Sequence, residues 1–123
     1  MDQKTILLVD DDMVLSEMYR FAFSEAGINV LIAKDNTEAI ALALEYHPSL
    51  ILMDIDMPNM DGYEAMKKIR EDAWGRTAKV IYLTNYSAPE NVYEAVSLKP
   101  EDYIVKASHD VKEIVNRART AMY

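Results

Sequence analysis

Leu50-Ile51-Leu52-Met53-Asp54-Ile55-Asp56-Met57-Pro58 opens as an unbroken apolar run and ends in two carboxylates and a proline. Four consecutive large apolar residues without polar alternation read as a strand buried on both faces, the habit of a parallel sheet covered by helices. Similar runs lie on either side of it. Thr5–Val9 leads into Asp10-Asp11-Asp12, residues 28–33 form a second run, residues 79–84 end on Thr84-Asn85, and Asp102–Val105 leads into Lys106. The intervals between the runs are helix-sized and carry helical periodicity, as in Val14, Met18, Phe21 and Ala22, or Ala39, Ile40, Ala43 and Leu44. Tyr63, Met66 and Ile69, then Val92, Ala95 and Val96, continue the pattern, and Val111, Ile114, Val115, Ala118 and Met122 mark one apolar stripe at the end. Parallel neighbours need crossovers of about a dozen residues or more, so five strands alternating with helices predict a three-layer α/β sandwich.

The punctuation fits those elements. Gly27 and Pro48 follow the first and second helical segments, Pro89 stands where a helix starts, and residues 72–78, with Trp74 and Gly75, form the longest loop. Asp12 is placed to cap a helix beginning at Met13. With 123 residues, 50% hydrophobic, the chain is expected to be a single domain over residues 1–123 with a self-sufficient core. The lack of Cys rules out disulfides and Cys-based zinc sites. The 13 basic against 21 acidic residues leave a net charge of −8, which argues against nucleic acid or an anionic membrane as the direct partner. No apolar run approaches the ~20 residues of a membrane span, and Met1-Asp2-Gln3 begins no signal peptide, so a cytoplasmic location is expected.

In open α/β sheets ligands bind beyond the carboxyl ends of the strands, where strand order reverses. With the order 2-1-3-4-5, Asp10, Asp11 and Asp54 converge at one rim, with Thr84 and Lys106 beside them. Clustered carboxylates persist only if protonated, paired with a cation or neutralised by a hard metal ion, and oxygen donors of this kind suit Mg²⁺. Taken singly, Thr84 also reads as a buried strand hydroxyl, Lys106 as a surface lysine and Asp56 as a turn residue before Pro58.

These residues carry a resemblance along essentially the whole chain. Residues 6–12 (Ile-Leu-Leu-Val-Asp-Asp-Asp), residues 48–64 with the run Asp54-x-x-Met57-Pro58-x-Met60-Asp61-Gly62, residues 80–84 and residues 102–106 resemble the receiver domain of two-component response regulators. The resemblance implies a flavodoxin-like (βα)5 fold and a phosphoacceptor switch rather than a turnover enzyme. It implies that Asp54 accepts a phosphoryl group from a sensor histidine kinase or phosphotransfer protein and later loses it slowly. It also implies that Mg²⁺ is bound by Asp11 and Asp54 and by the Asp56 carbonyl, with Asp10 acting through water. Thr84 and Lys106 would contact phosphoryl oxygens, and Tyr103 would be the aromatic whose rotamer reports activation. Phosphorylation-dependent pairing of two copies through the last two helices and last strand belongs to the same expectation, and the downstream target stays open.

Asn85 stands where a small residue is common, Ala107 where Pro is usual, and Lys99-Pro100 where Gly-Ala is common. A cis bond before Ala107 would cost ~2.5–4 kcal/mol, so the Lys106–Ala107 peptide is expected to be trans. Asp56 and Tyr86 border the expected path of the hydrolytic water. His109 reads as an exposed residue of the last helix's first turn and His47 as a plain helix end. A phosphatase resembling the haloacid dehalogenase family shares the Asp54-Ile55-Asp56 pair, but its metal-binding acids follow the Lys, whereas Asp10 to Asp12 precede it here. A flavin mononucleotide carrier needs a hydroxyl-rich loop after the first strand, and three acids there repel phosphate. A pseudo-receiver that only binds partners is the remaining alternative.

Overall fold

The computed structural model describes residues 4–57, 61–85, 99–106 and 109–123. Five strands, β1 (Thr5–Val9), β2 (Asn29–Ala33), β3 (Leu50–Asp54), β4 (Val80–Thr84) and β5 (Asp102–Val105), pair in parallel in the order β2-β1-β3-β4-β5. Among the described residues four helices accompany them: α1 (Met13–Glu25), α2 (Asn36–Tyr46), α3 (Gly62–Glu71) and α4 (Val111–Met122). The expected segment around Val92, the Pro89 helix start, Tyr86 and the Lys106–Ala107 bond lie outside the described residues.

Side-chain parity sorts the core into two layers. Leu7, Val9, Ile51, Met53, Val80 and Tyr82 pack with α2 and α3. Ile6, Leu8, Leu50, Leu52, Ile81 and Leu83 pack with α1 and α4. Strands β3 and β4 are buried at every residue, so their apolar character is continuous rather than alternating. Among the described residues no helix is long and apolar enough to cross a membrane.

Local chemistry sets the helix starts. The Asp12 carboxylate accepts from the Leu15 amide at 3.0 Å, Asp35 caps α2 through Glu38, and Asp61 caps α3 through Tyr63. All three sit at the acid end of the sheet, since each helix starts where a parallel strand has just ended.

The opposite edge departs from the plain loop expected of residues 72–78. It holds a 3-10 turn, Gly75–Thr77, and the Trp74 ring stacks on His47 with centroids 4.5 Å apart and planes 9° from parallel. His47, in the left-handed region at φ 48°, ends α2 as expected but also carries that stack. The emission of Trp74, the sole tryptophan, is therefore expected to change little when chemistry occurs at the far rim. A large change on phosphoryl uptake, read by steady-state fluorescence, would contradict this placement. Lys99, where Gly is common, takes φ 51°, a conformation that strains residues bearing a Cβ.

His109 does not lie in the first turn of α4. Asp110 is the N-cap, accepting from the Glu113 amide at 2.8 Å, and His109 precedes it, half-buried. Its Nδ1 lies 3.0 Å from Glu113 and its Nε2 lies 3.2 Å from the Arg117 guanidinium. Arginine only donates, so Nε2 accepts and Nδ1–H donates to Glu113. Arg117 in turn grips Asp102 of β5 through two nitrogens, at 2.9 and 2.6 Å, tying α4 to the strand that leads to Lys106.

Candidate functional site

The strand parity that buries Leu50 and Leu52 brings Asp54 to the last position of β3, where it is 4% exposed. Val9 ends β1 one residue before Asp10, which is 1% exposed, while Asp11 is open to solvent. Carboxylate oxygens of Asp10, Asp11 and Asp54 lie within 4.8 Å of one another. The sequence-derived trio is thus assembled.

Each buried acid is held by the backbone of its own loop. Asp10 Oδ1 accepts from the Asp12 amide at 2.9 Å, and Asp54 Oδ1 accepts from the Asp56 amide at 2.8 Å. Lys106, at the exit of β5, donates to Asp54 Oδ2 at 2.9 Å, an ion pair shielded on both sides. Burial alone would lower the Lys106 pKa, but the hydrogen bond and charge of Asp54, reinforced by Asp10 and Asp56, hold it above the ordinary lysine value. The Asp10 carboxyl is pushed up to about 6, first by burial and also by the charges of Asp54 and Asp11, against the Asp12 amide and Lys106. Tyr19 of α1, 1% exposed, has its phenol raised to about 12 by burial and then by the charges of Asp10 and Asp54.

Asp10 Oδ2 is buried without a hydrogen-bond partner. A buried, unpartnered carboxylate oxygen beside two further carboxylates is the donor set of a hard divalent cation, so the residues fit Mg²⁺.

Thr84 ends β4 and is 1% exposed. Its hydroxyl donates to Asp56 Oδ1 at 3.3 Å, and the Asn85 amide donates to Asp56 Oδ2. Both Asp56 oxygens thus clasp the end of β4, an arrangement the sequence reading missed because it joins residues far apart in the chain. Gly62 lets the start of α3 close on this rim: a Cβ there would stand 2.9 Å from Met53 Cγ and 3.3 Å from the Asp54 carbonyl. Beyond it, Tyr63 meets Tyr82 edge to face with centroids 4.9 Å apart. The Tyr103 hydroxyl is buried beside that of Tyr63, so its ring points inward. Burial, and then the neighbouring Tyr103, push the Tyr63 phenol up.

The model of the response regulator receiver domain matches residues 6–119. The chain belongs to this family. The receiver is similar to the probable transcriptional regulatory protein TcrX of Mycobacterium tuberculosis, 32% identical over 96% of this chain and 49% of that one. An uncharacterized 14.6 kDa protein of Leptolyngbya boryana is 36% identical over 85% of this chain and 79% of its own. The receiver spans about half the length of several curated relatives, TcrX among them. Among solved structures, the chemotaxis protein CheY4 of Vibrio cholerae superposes with a TM-score of 0.88 at 25% identity, covering 98% of this chain and 99% of that one. A CheY-like receiver domain protein of Methanospirillum hungatei does so at 0.87 and 26%, covering 98% and 94%. The fold is therefore CheY-like and flavodoxin-like with the expected strand order. A receiver is a signalling domain of two-component systems rather than a turnover enzyme, which decides against the phosphatase and flavin-carrier alternatives.

Proposed function

We propose that this receiver accepts a phosphoryl group on Asp54 from the phosphohistidine of a sensor histidine kinase or phosphotransfer protein and passes the change to a downstream protein. The observation that carries the reading is the shielded Asp54–Lys106 pair, 2.9 Å long, at a rim that gathers two further carboxylates. In the transfer a phosphorus–oxygen bond to Asp54 forms as the phosphorus–nitrogen bond breaks, and the donor imidazole leaves with its electron pair and takes up a proton. Lys106, held protonated, balances charge on Asp54 and on the phosphoryl oxygens. A divalent ion held by Asp11, Asp54 and the Asp56 main-chain carbonyl, with Asp10 assisting through water, would screen the anionic donor from the acids it must approach. The reading includes a cytoplasmic location, where ATP-dependent kinases form phosphohistidine. The test is uptake from a small phosphodonor: Asp54→Asn is expected to abolish the mass gain, and uptake surviving in that variant would sink the assignment.

Thr84 is the residue through which the new charge is read. Before transfer its hydroxyl is engaged by Asp56; afterwards the phosphoryl oxygens compete for it, and their charge repels Asp56. Release of Thr84 lets the end of β4 move inward and makes room for a different packing of Tyr103. At 3.3 Å this hydrogen bond is a long one and contributes about 0.5–1.4 kcal/mol net, so Asp56→Ala is expected to speed uptake about 2–10-fold by freeing Thr84 in advance. In a Thr84→Val background the same substitution should do nothing more. Equal acceleration in both backgrounds, measured by intact-mass kinetics, would show that Asp56 acts by charge alone.

A further inference from the structure

Lys106 carries its ammonium on a long, flexible stem, so the position of its backbone decides how well that charge is placed at Asp54. β5 ends one residue earlier, at Val105. Ala107-Ser108, which follow, include no proline ring to fix a backbone angle. The connection is instead held by a chain of contacts that closes through α4. The His109 amide donates to the Lys106 carbonyl at 3.3 Å. The His109 ring donates from Nδ1 to Glu113 at 3.0 Å and accepts at Nε2 from Arg117 at 3.2 Å. Arg117 holds Asp102 with two nitrogens, and Asp102 is the first residue of β5. The start of the strand is thus tied, through two side chains, to the residue that grips the carbonyl at its far end.

The His109, Arg117 and Asp102 side chains are 27%, 37% and 29% exposed, so water screens these contacts less than it screens an open surface pair. The arrangement needs a neutral imidazole. Arginine only donates, and a second ring proton would set Nε2–H against the guanidinium. Among the described residues the charged groups around the ring are Glu113, Arg117 and the cap Asp110 on α4, and Asp102 on β5, while the Lys106 ammonium is engaged by Asp54. Protonation strengthens the contact with Glu113 and breaks the one with Arg117, so acid uncouples His109 from the strand.

We infer that His109 is a positioning residue for phosphoryl uptake: through Arg117 and Asp102 it fixes the backbone from which Lys106 reaches Asp54, and it does so only as the neutral imidazole. The inference rests on the reading of Asp54 as the phosphoacceptor. His109 itself touches neither Asp54 nor the phosphoryl group and acts through the lysine.

The experiment follows uptake from a small phosphodonor at saturating Mg²⁺ by intact mass, between about pH 5.5 and 8, the range in which imidazoles titrate. His109→Ala is expected to slow uptake about 3–10-fold at the upper end, since misplacing a reacting group by about 1 Å costs up to about 10²-fold. His109→Gln offers a donor and an acceptor from an uncharged amide. It is expected to match the wild type at about pH 8 and to outpace it increasingly as pH falls. Asp10, pushed up to about 6, and the phosphodonor titrate in both proteins, so the ratio of their rates isolates His109. Arg117→Lys, which cannot span both of its partners, is expected to slow uptake as His109→Ala does, and the double variant to be no slower than either alone. The resting protein supplies a second readout. The Lys106 ammonium, 2.9 Å from Asp54, is expected to give a slowly exchanging nitrogen-15 signal in the wild type and in His109→Gln, and to lose it in His109→Ala. Uptake by His109→Gln as slow as by His109→Ala, a rate ratio that is flat with pH, additive losses in the double variant, or an ammonium signal unchanged in His109→Ala would each overturn the proposal. Uptake that survives Asp54→Asn would sink the acceptor reading instead, and the ammonium signal then decides the positioning claim alone.

Discussion

Excess chelator is expected to stop phosphoryl uptake by the wild-type protein, and Asp11→Ala to slow it by about 10²–10⁴-fold at fixed Mg²⁺. The reason is electrostatic. Carboxylates of Asp10, Asp11 and Asp54 lie within 4.8 Å of one another, and among the described residues Lys106 is the one cation paired directly to any of them. A phosphodonor brings further negative charge to this rim, and one ammonium leaves a surplus of anions at close range. Asp11 is the exposed member of the trio, with room for an ion's remaining waters, while the orphaned Asp10 oxygen is buried behind it. Removing Asp11 would thus take away an exposed candidate ligand without opening the core. Initial rates with and without chelator check the first statement and a Mg²⁺ titration of the variant the second. Uptake unaffected by chelator would mean that the acids are neutralised some other way.

The largest effect on stability is expected far from the acids. A Cβ built on Gly75 would stand 1.7 Å from the Ile69 carbonyl oxygen and 2.5 Å from its carbon. Both are backbone atoms at the end of α3, so no side-chain rotation relieves the clash. The Arg70 guanidinium also donates to the Gly75 carbonyl at 2.8 Å and to that of Ala78, pinning the turn to the helix. Gly75→Ala must separate the two, and a loss of about 3–5 kcal/mol from a typical total of ~5–15 kcal/mol is expected. That corresponds to a melting temperature lower by about 10–25 °C for a domain of this size. Gly27 is the contrasting case: its φ of 78° strains an Ala, but nothing lies within 4 Å, so Gly27→Ala should cost only about 1–2 kcal/mol. Thermal unfolding of both variants checks the contrast. Equal losses would show that conformation, not contact, governs both sites.

Much of the fold was legible because buried parallel strands announce themselves in this chain. Leu50 to Met53 and Val80 to Leu83 have no polar residue to alternate, and the acid, hydroxyl or lysine that ends each of the strands bearing the site marks the rim. Asp10, Asp11, Asp54, Thr84 and Lys106 were placed together by topology alone, and the structure brings them together. What escaped were contacts that no periodicity encodes. The Asp56 clasp on Thr84 and Asn85, the stack of Trp74 on His47 and the meeting of Tyr63 with Tyr82 each join separate elements. The close approach of Gly75 to Ile69 is local but depends on how the turn folds back on α3. The boundary before α4 was misread although its signal was present: Asp110-x-x-Glu113 is a capping pattern that puts His109 outside the helix.

The central claim, that Asp54 is the phosphoacceptor, is tested most directly by locating the group. After incubation with a small phosphodonor and Mg²⁺, borohydride reduces an aspartyl phosphate to homoserine, releasing phosphate, and peptide mass spectrometry reads which aspartate was converted. Conversion is expected at Asp54 alone, with Asp10, Asp11 and Asp56 intact and no conversion in Asp54→Asn. Conversion at any of the other three in the wild type, or none in protein that has gained phosphoryl mass, would contradict the assignment.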